Sequence, residues 1–206
     1  MMTGASRSVG PMWIIVLTAA TIGCAHNRAE TAATAQGAGP DTSAATTSQQ
    51  RVLFISGGAD ARGTPHLDPA FVLDAQPSAP KGEGRHRITG RDTDGVELFS
   101  LRFEMPVIAD GDGSGSFLFA VPVQEGWASR LASITLDGPG GSSTLDRSTD
   151  RPMAILRDPV SGQVRQITRD LPPGPAGREA AEALAAETGF ELIFSRGIPD
   201  SADWRR

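Results

Sequence analysis

The sequence predicts a mainly β fold, either an immunoglobulin-like β-sandwich or a small antiparallel barrel, with one helix near the C-terminus. Two observations support this prediction. From residue 51 onwards, short apolar runs recur between turns rich in Gly, Pro and Asp, at the intervals of about eight to twelve residues that are typical of such folds. Within the runs, apolar and polar residues alternate, as in Phe99, Leu101 and Phe103, so each strand would have one apolar face.

Two hairpin turns and one further turn separate several of the predicted strands. Asp94-Gly95 joins two apolar runs, which is a strong hairpin signal because glycine tolerates the positive φ of a tight turn. The segment 158–162 joins another pair, and the glycine-rich segment 138–141 is a further turn. The predicted strands are, in chain order, residues 52–55, 71–73, 86–91, 96–103, 117–121, 132–136, 143–147, 153–157, 163–168 and 190–194.

One segment breaks the strand pattern. Residues 178–188 are rich in Ala, Leu and Glu, follow Pro175 and end at Gly189, which predicts a helix with a glycine C-cap. We expect this helix to cover a sheet edge or an open end of the domain, and Trp204 to dock on the domain. The residues expected in the core include Phe99, Leu101, Phe103, Phe117, Phe119 and Ile134.

The N-terminal segment contains the only cysteine of the chain. Cys24 ends a short apolar run that follows Arg7. The segment Thr21-Ile22-Gly23-Cys24 resembles the lipobox of bacterial lipoproteins, although Thr21 stands where that pattern usually has Leu. The resemblance implies that residues 1–23 are a signal peptide and that Cys24 carries palmitate or similar acyl chains. An ordinary signal peptide and an uncleaved N-terminal anchor are the alternatives.

The remaining chain divides by composition. Residues 24–50 would form a disordered tether, because the segment after Cys24 consists of small and polar residues that cannot bury enough surface to order it. Residues 51–206 are long enough for one domain with a substantial core. That domain has no disulfide, since it contains no cysteine.

Charge narrows the choice of partner. The whole chain has 19 basic and 24 acidic residues, and removal of residues 1–23 takes away Arg7 alone, which leaves 18 against 24 and a net charge of −6. This excess of acid disfavours nucleic acid as a partner and disfavours electrostatic binding to anionic lipid. Attachment to a membrane would therefore depend on Cys24. Ala25 after the cysteine resembles a signal for the outer membrane, facing the periplasm or the cell surface.

The most site-like stretch contains Asp110, Asp112 and Ser114, which have the first, third and fifth positions of a calcium loop. The twelfth position is Val121, where such a loop needs a bidentate Glu. We therefore expect a solvated turn and no cofactor or tight metal site, with a weak calcium site as the alternative.

The other candidate residues give weaker signals. His66 and His86 are isolated, so surface roles are expected for both, and no zinc motif is present in the sequence. No serine lies in a Gly-x-Ser-x-Gly elbow, and the segment 56–58 is expected to be a turn. Trp127 is either an exposed aromatic that stacks on sugar or peptide, or a half-buried core residue.

Several turn phrases resemble a β-rich module found at the C-terminal end of exported bacterial proteins, including some zinc metallopeptidases. The matching phrases are Leu67-Asp68-Pro69-Ala70-Phe71, Asp110-Gly111-Asp112-Gly113, Leu136-Asp137-Gly138-Pro139-Gly140-Gly141, and Arg157-Asp158-Pro159 with Gly162-Gln163-Val164-Arg165. The resemblance spans most of residues 51–198 and implies a sandwich-like accessory domain. It does not imply peptidase activity, because no peptidase catalytic domain precedes the module in this sequence.

These observations together predict a lipid-anchored, exported protein that is not an enzyme and that serves as a binding or structural module of the cell envelope. Its partner would be an envelope protein. The alternative is a metal-dependent hydrolase, or a hydrolase accessory domain, that uses the Asp110 and Asp112 loop.

Overall fold

The computed structural model describes residues 50–107 and 112–205. Its elements are β1 (Gln50–Ala59), β2 (Pro65–Leu67), β3 (Phe71–Ala75), β4 (His86–Asp92), β5 (Glu97–Phe103), β6 (Gly115–Pro122), α1 (Trp127–Arg130), β7 (Leu131–Gly138), β8 (Gly141–Asp146), β9 (Met153–Arg157), β10 (Val164–Thr168), α2 (Pro175–Thr188), β11 (Glu191–Ser195) and a short 3₁₀ helix (Asp203–Arg205). Each strand predicted from the sequence overlaps one of these strands.

The strands form three antiparallel sheets. In sheet A, β1 pairs with β2 and β3 along its length and also with β6. Sheet B has the order β5-β4-β7-β8, and sheet C has the order β10-β9-β11. Every one of these strand pairs is antiparallel. The prediction of a mainly β, sandwich-like fold with a helix near the C-terminus is confirmed, and the sheets do not close into a barrel.

Sheet A forms the middle layer of the domain. Leu53 and Ile55 of β1 are fully buried in the main core together with residues of sheet B. Phe54, which lies between them, packs instead in a second cluster with Met153 and Ile155 of sheet C. The alternation of side chains along β1 therefore directs successive residues into two different interfaces.

The segment 56–58 belongs to strand β1, so the expectation of a turn there is wrong. Gly57 lies opposite Leu67 in β2, and a Cβ atom on Gly57 would collide with the carbonyl oxygen of His66. A Cβ atom on Gly58 would collide with the carbonyl oxygen of Gly115. These two glycines occur in a strand because three backbones approach closely at this point.

Helix α2 begins at Pro175 and ends at Thr188, and the following Gly189, with φ of 69°, is the predicted left-handed C-cap. Its buried Ala181 packs with Ala154 of β9 and Phe194 of β11. Since the residues on either side of Ala154 contact sheet A, α2 covers the opposite face of sheet C. The expected position at an edge or an open end is therefore corrected to a sheet face.

The hairpin between β4 and β5 confirms the Asp94-Gly95 prediction, with φ of 78° at Gly95. Asp92 organises the turn: its Oδ1 atom accepts hydrogen bonds from the N–H groups of Asp94 and Val96. Its Oδ2 atom accepts a 2.8 Å hydrogen bond from Arg130. The Arg130 hydrogen bond is the largest cause that lowers the pKa of the Asp92 carboxyl, and the two N–H groups add to it against the opposing effect of burial.

The main core contains the predicted aromatic residues. Phe103, Phe117 and Ile134 are buried, while Phe99, Leu101 and Phe119 are partly buried and pack against them. The core also includes Trp204, whose indole Nε1 donates to the carbonyl oxygen of Pro199. The expected docking of this residue is confirmed.

His86 is buried, with 6% of its surface exposed, which corrects the expected surface role. Its ring lies 5.6 Å from that of Phe103 and directly against Gly138, where a Cβ atom would approach the ring to 2.6 Å. The Nδ1 atom has no hydrogen-bond partner among the described residues. His66 is exposed, as expected, although it lies in strand β2.

No helix in the described part of the chain is long and apolar enough to cross a bilayer.

Candidate ligand-binding cleft

Two of the predicted site residues lie outside the described residues, namely Cys24 and Asp110. Asp112 is described, and its Oδ1 atom accepts a 3.0 Å hydrogen bond from the N–H of Ser114. Hydrogen bonds from the Ser114 hydroxyl and N–H lower the pKa of the Asp112 carboxyl. Gly113 between them has φ of 91°. The geometry is that of an Asx turn, and no group of three or more metal-ligating side chains occurs in the described ranges.

Trp127 is 3% exposed and therefore belongs to the core. Its indole stacks on Phe99 with ring centroids 4.9 Å apart. Gly126, with φ of 83°, turns the chain into the short helix α1 and thereby directs Trp127 inwards. The alternative of an exposed binding aromatic is wrong.

The structure contains a site that the sequence did not indicate, a cleft between sheets A and C. We call it the interlayer cleft and define its walls by Phe54, Phe71, Leu118, Met153, Ile155 and Ile167. It encloses about 500 Å³, a volume within the range of about 300–1,000 Å³ that is typical of ligand sites. Phe71, Met153 and Ile155 form its buried floor.

The mouth of the interlayer cleft is apolar on both walls. Leu118 of β6 is 55% exposed and Ile167 of β10 is 47% exposed. These two side chains lie on different sheets, and deeper in the same interface Phe54 and Ile193 pack against the buried cluster of Phe71, Met153 and Ile155. Such an exposed apolar surface with a polar border is typical of an interaction site.

The polar border is formed by Ser56, His66, Asp68 and Arg169. The Oδ2 atom of Asp68 accepts a 3.1 Å hydrogen bond from the Ser56 hydroxyl. The same atom lies 3.4 Å from Nη2 of Arg169. The Arg169 side chain is 55% exposed, so part of its guanidinium faces solvent beside the apolar walls.

In the part of the chain that the structure describes, the Ser56 hydroxyl is engaged by Asp68 and not by the neighbouring histidine. A serine nucleophile needs a general base that removes its proton, and that base is usually a histidine held by a third group. Here the Ser56 hydroxyl donates directly to Asp68, and within the described residues no hydrogen bond joins it to His66. The imidazole of His66 instead lies over Gly58, where a Cβ atom would approach its Cε1 to 2.9 Å.

A second cavity adjoins the interlayer cleft and shares Asp68, Met153 and Arg169 with it. We call it the side chamber; it encloses about 430 Å³ between Leu67, Pro69, Pro152, Leu171 and Pro173. The Asp68–Arg169 ion pair therefore lies where the two spaces meet, and Asp150, Arg151 and Asp170 also border the side chamber. A ligand that filled both spaces would pass this pair.

Sequence reasoning missed the interlayer cleft because its residues come from strands that are distant in the chain. Phe54 and Ile155 are 101 positions apart, and each belongs to an ordinary apolar run. Ile167 was one faint signal, as an apolar residue in the polar segment Val164–Thr168. An apolar residue that lines a cleft cannot be distinguished in the sequence from one that is exposed on a solvated strand, because the sequence does not show which sheet lies opposite.

Comparison with known proteins finds no matching family model, no similar curated protein and no similar solved structure. Two assignments therefore stay predictions from the sequence. They are the lipobox in the N-terminal segment and the likeness of the turn phrases to a module of exported proteins.

Proposed function

We propose that this protein is an exported, lipid-anchored binding module of the cell envelope, that it is not an enzyme, and that the interlayer cleft is its binding site. The observation that carries the proposal is the cleft itself, with its buried apolar floor and its half-exposed Leu118 and Ile167 at the mouth. Ligand sites are commonly apolar concavities with a few polar groups that fix orientation, and Ser56, Asp68 and Arg169 supply such groups here.

The proposed location rests on the sequence. Cys24 follows a short apolar segment and Gly23, and the chain has no other cysteine. Two or more acyl chains on this residue would hold the protein firmly, because each buried methylene contributes about 0.8 kcal/mol. The partner would be an envelope protein within reach of the tether.

The anchor is tested by labelling and fractionation. The wild-type protein should incorporate labelled palmitate and sediment with membranes, whereas Cys24→Ser should incorporate none and should either be released or retain its signal segment. An unlabelled, soluble wild-type protein would refute the anchor.

The binding site is tested by photo-crosslinking in the intact envelope. A photoreactive benzoylphenylalanine replaces Leu118 at the cleft mouth or, as a control, Val96 in the β4–β5 hairpin. The two residues are matched, since Leu118 is 55% and Val96 is 53% exposed. We expect a discrete adduct at position 118 and none at position 96. Equal crosslinking at both positions, or none at position 118, would contradict the proposal that the cleft is the site.

A further inference from the structure

We propose that the interlayer cleft receives an extended, apolar polypeptide segment of a partner protein, and that this segment adds as a strand to the open edge of β10. The inference rests on the proposed binding function and specifies the chemistry of the partner.

The first argument is the state of the β10 edge. Strand β10 is the terminal strand of sheet C, and among the described residues it pairs with β9 alone. Natural proteins usually protect such an edge with charged residues, proline or a covering element, because unpaired backbone groups invite another strand. Here β10 offers two half-exposed apolar side chains, Val164 and Ile167.

The charge on this strand is held away from the edge. Arg165 is the only charged residue in Val164–Thr168. Its guanidinium lies 2.7 Å from Oδ2 of Asp158, and Asp158 also accepts hydrogen bonds from the N–H groups of Val160 and Ser161 in the adjoining turn. The ion pair therefore ties Arg165 to the end of the hairpin.

The second argument is the irregular register of β10. Val164 lies opposite Arg157 and Ile167 lies opposite Ile155, with a register shift between them. Because Arg157 and Ile155 are two positions apart in β9, they share one face of sheet C, and so do the residues opposite them. The bulge thus brings Val164 and Ile167, three positions apart, to the face that borders the interlayer cleft.

The third argument is the opposite wall. Leu118 lies in β6, paired opposite Ser56, and borders the same cleft. An extended chain added to β10 would direct every second side chain to the face of sheet C that carries Val164 and Ile167, opposite Leu118. The backbone of that chain would pair with β10 while its apolar side chains covered the mouth of the cleft between Ile167 and Leu118.

The charges at the border fit a peptide better than an ion. Asp68 and Arg169 form one ion pair, and its opposite charges offset each other. A free anion would be repelled by Asp68 and a free cation by Arg169. A peptide group carries no net charge and has one donor and one acceptor. Its N–H can donate to the Asp68 carboxylate, and its carbonyl oxygen can accept from the Arg169 guanidinium.

The partner segment is not the chain's own tether. Residues 25–49 contain no Val, Leu, Ile, Met or aromatic residue, so that segment has no side chains to fill an apolar cleft. The side chamber beyond the Asp68–Arg169 pair gives room for one larger side chain of a partner.

The test uses the intact lipoprotein in phosphatidylcholine vesicles, with empty vesicles as background, and a fluorescein-labelled, end-blocked nonapeptide in which Val or Ile alternates with Thr. Fluorescence anisotropy reports the Kd. A second peptide of the same sequence carries N-methyl groups on alternate amides, which removes the hydrogen bonds of one backbone edge and keeps every side chain. We expect saturable binding of the first peptide and at least tenfold weaker binding of the second.

Variants locate the binding. Ile167→Lys places a charge on the β10 edge, and Leu118→Lys places one on the opposite wall; each should raise the Kd at least tenfold. Val96→Lys is the matched control, because Val96 is equally exposed but lies in the β4–β5 hairpin, and it should leave the Kd within twofold. Far-UV circular dichroism confirms that each variant is folded.

Several results would overturn the inference. They are an absence of binding at about 1 mM peptide, equal binding of the N-methylated peptide, and insensitivity to both lysine variants. If the crosslink at position 118 is found together with any of these results, the proposed binding function stands and the ligand is something other than an added strand. If the crosslink at position 118 is not found, the proposed binding function itself is contradicted.

Discussion

Replacement of Phe103 by alanine is the sharpest test of how this domain is held together. Phe103 is 4% exposed and lies among three other rings. Its ring centroid is 5.0 Å from that of Phe117, 4.9 Å from that of Phe119 and 5.6 Å from that of His86. Because Phe103 comes from sheet B, and Phe117 and Phe119 come from sheet A, the change removes contact across the interface of the two sheets.

The expected loss follows from burial and cavity formation. Truncation of a buried Phe to Ala costs about 3–5 kcal/mol, as lost transfer free energy plus the cavity that remains. For a domain of this size each kcal/mol lowers the Tm by about 2–4 °C, so Phe103→Ala should lower it by about 6–20 °C. Phe103→Leu should lose less, because it keeps much of the apolar volume.

The assay is urea unfolding of the purified protein, followed by far-UV circular dichroism, with the midpoint and slope both fitted. Leu118→Ala is the control, since Leu118 is 55% exposed and its loss should change the free energy of unfolding by no more than about 0.5 kcal/mol. If Phe103→Ala cost no more than Leu118→Ala, the packing of sheets A and B described above would be wrong.

Three further predictions concern charge, backbone conformation and metal. The pKa of Asp92 is lowered in the folded state. The contribution of Asp92 to stability is therefore present above the ordinary carboxyl pKa and is lost as the pH falls through the folded pKa. Asp92→Asn and Arg130→Met should each flatten the fall of Tm between about pH 5 and pH 2. Gly189→Ala should destabilise the protein by about 1–2 kcal/mol in urea unfolding, since Gly189 has φ of 69°, whereas Gly82→Ala, with open space around the new Cβ atom, should change stability by no more than about 0.5 kcal/mol. Calcium at about 0.1 mM should leave the Tm unchanged, because the expected site is weak and a ligand well below its Kd adds almost no stability; a rise of several degrees that Asp112→Ala abolished would establish a calcium site.

Local patterns in the sequence predicted most of the strands. Phe99, Leu101 and Phe103 alternate with polar residues in β5, and a strand has the same period of two wherever it lies. Gly95 and Gly189 have the positive φ values expected of a tight turn and a helix C-cap, since glycine is favoured there by its own sterics. Signals of this kind depend on a few neighbouring residues, and they can therefore be read from one chain.

The assembly of those strands followed from contacts between distant residues. Strand β1 pairs with β6, more than fifty residues later, and its glycines at positions 57 and 58 belong to a strand only because other backbones pass close to them. The isolated His86 looked like a surface residue, but it is buried beside Phe103 and Gly138. No short window of sequence contains these partners.

The candidate site shows the same division. Composition and the segment before Cys24 predict where the protein resides and which partners its charge disfavours. Net charge and a contiguous N-terminal segment can be read from the sequence because they do not depend on how the chain folds. The interlayer cleft lies between sheets A and C, with Phe71, Met153 and Ile155 buried at its floor and Leu118 and Ile167 half exposed at its mouth. The angle between two packed sheets arises from the twist of each sheet, and which side chains then line the space between them is decided only in the tertiary structure.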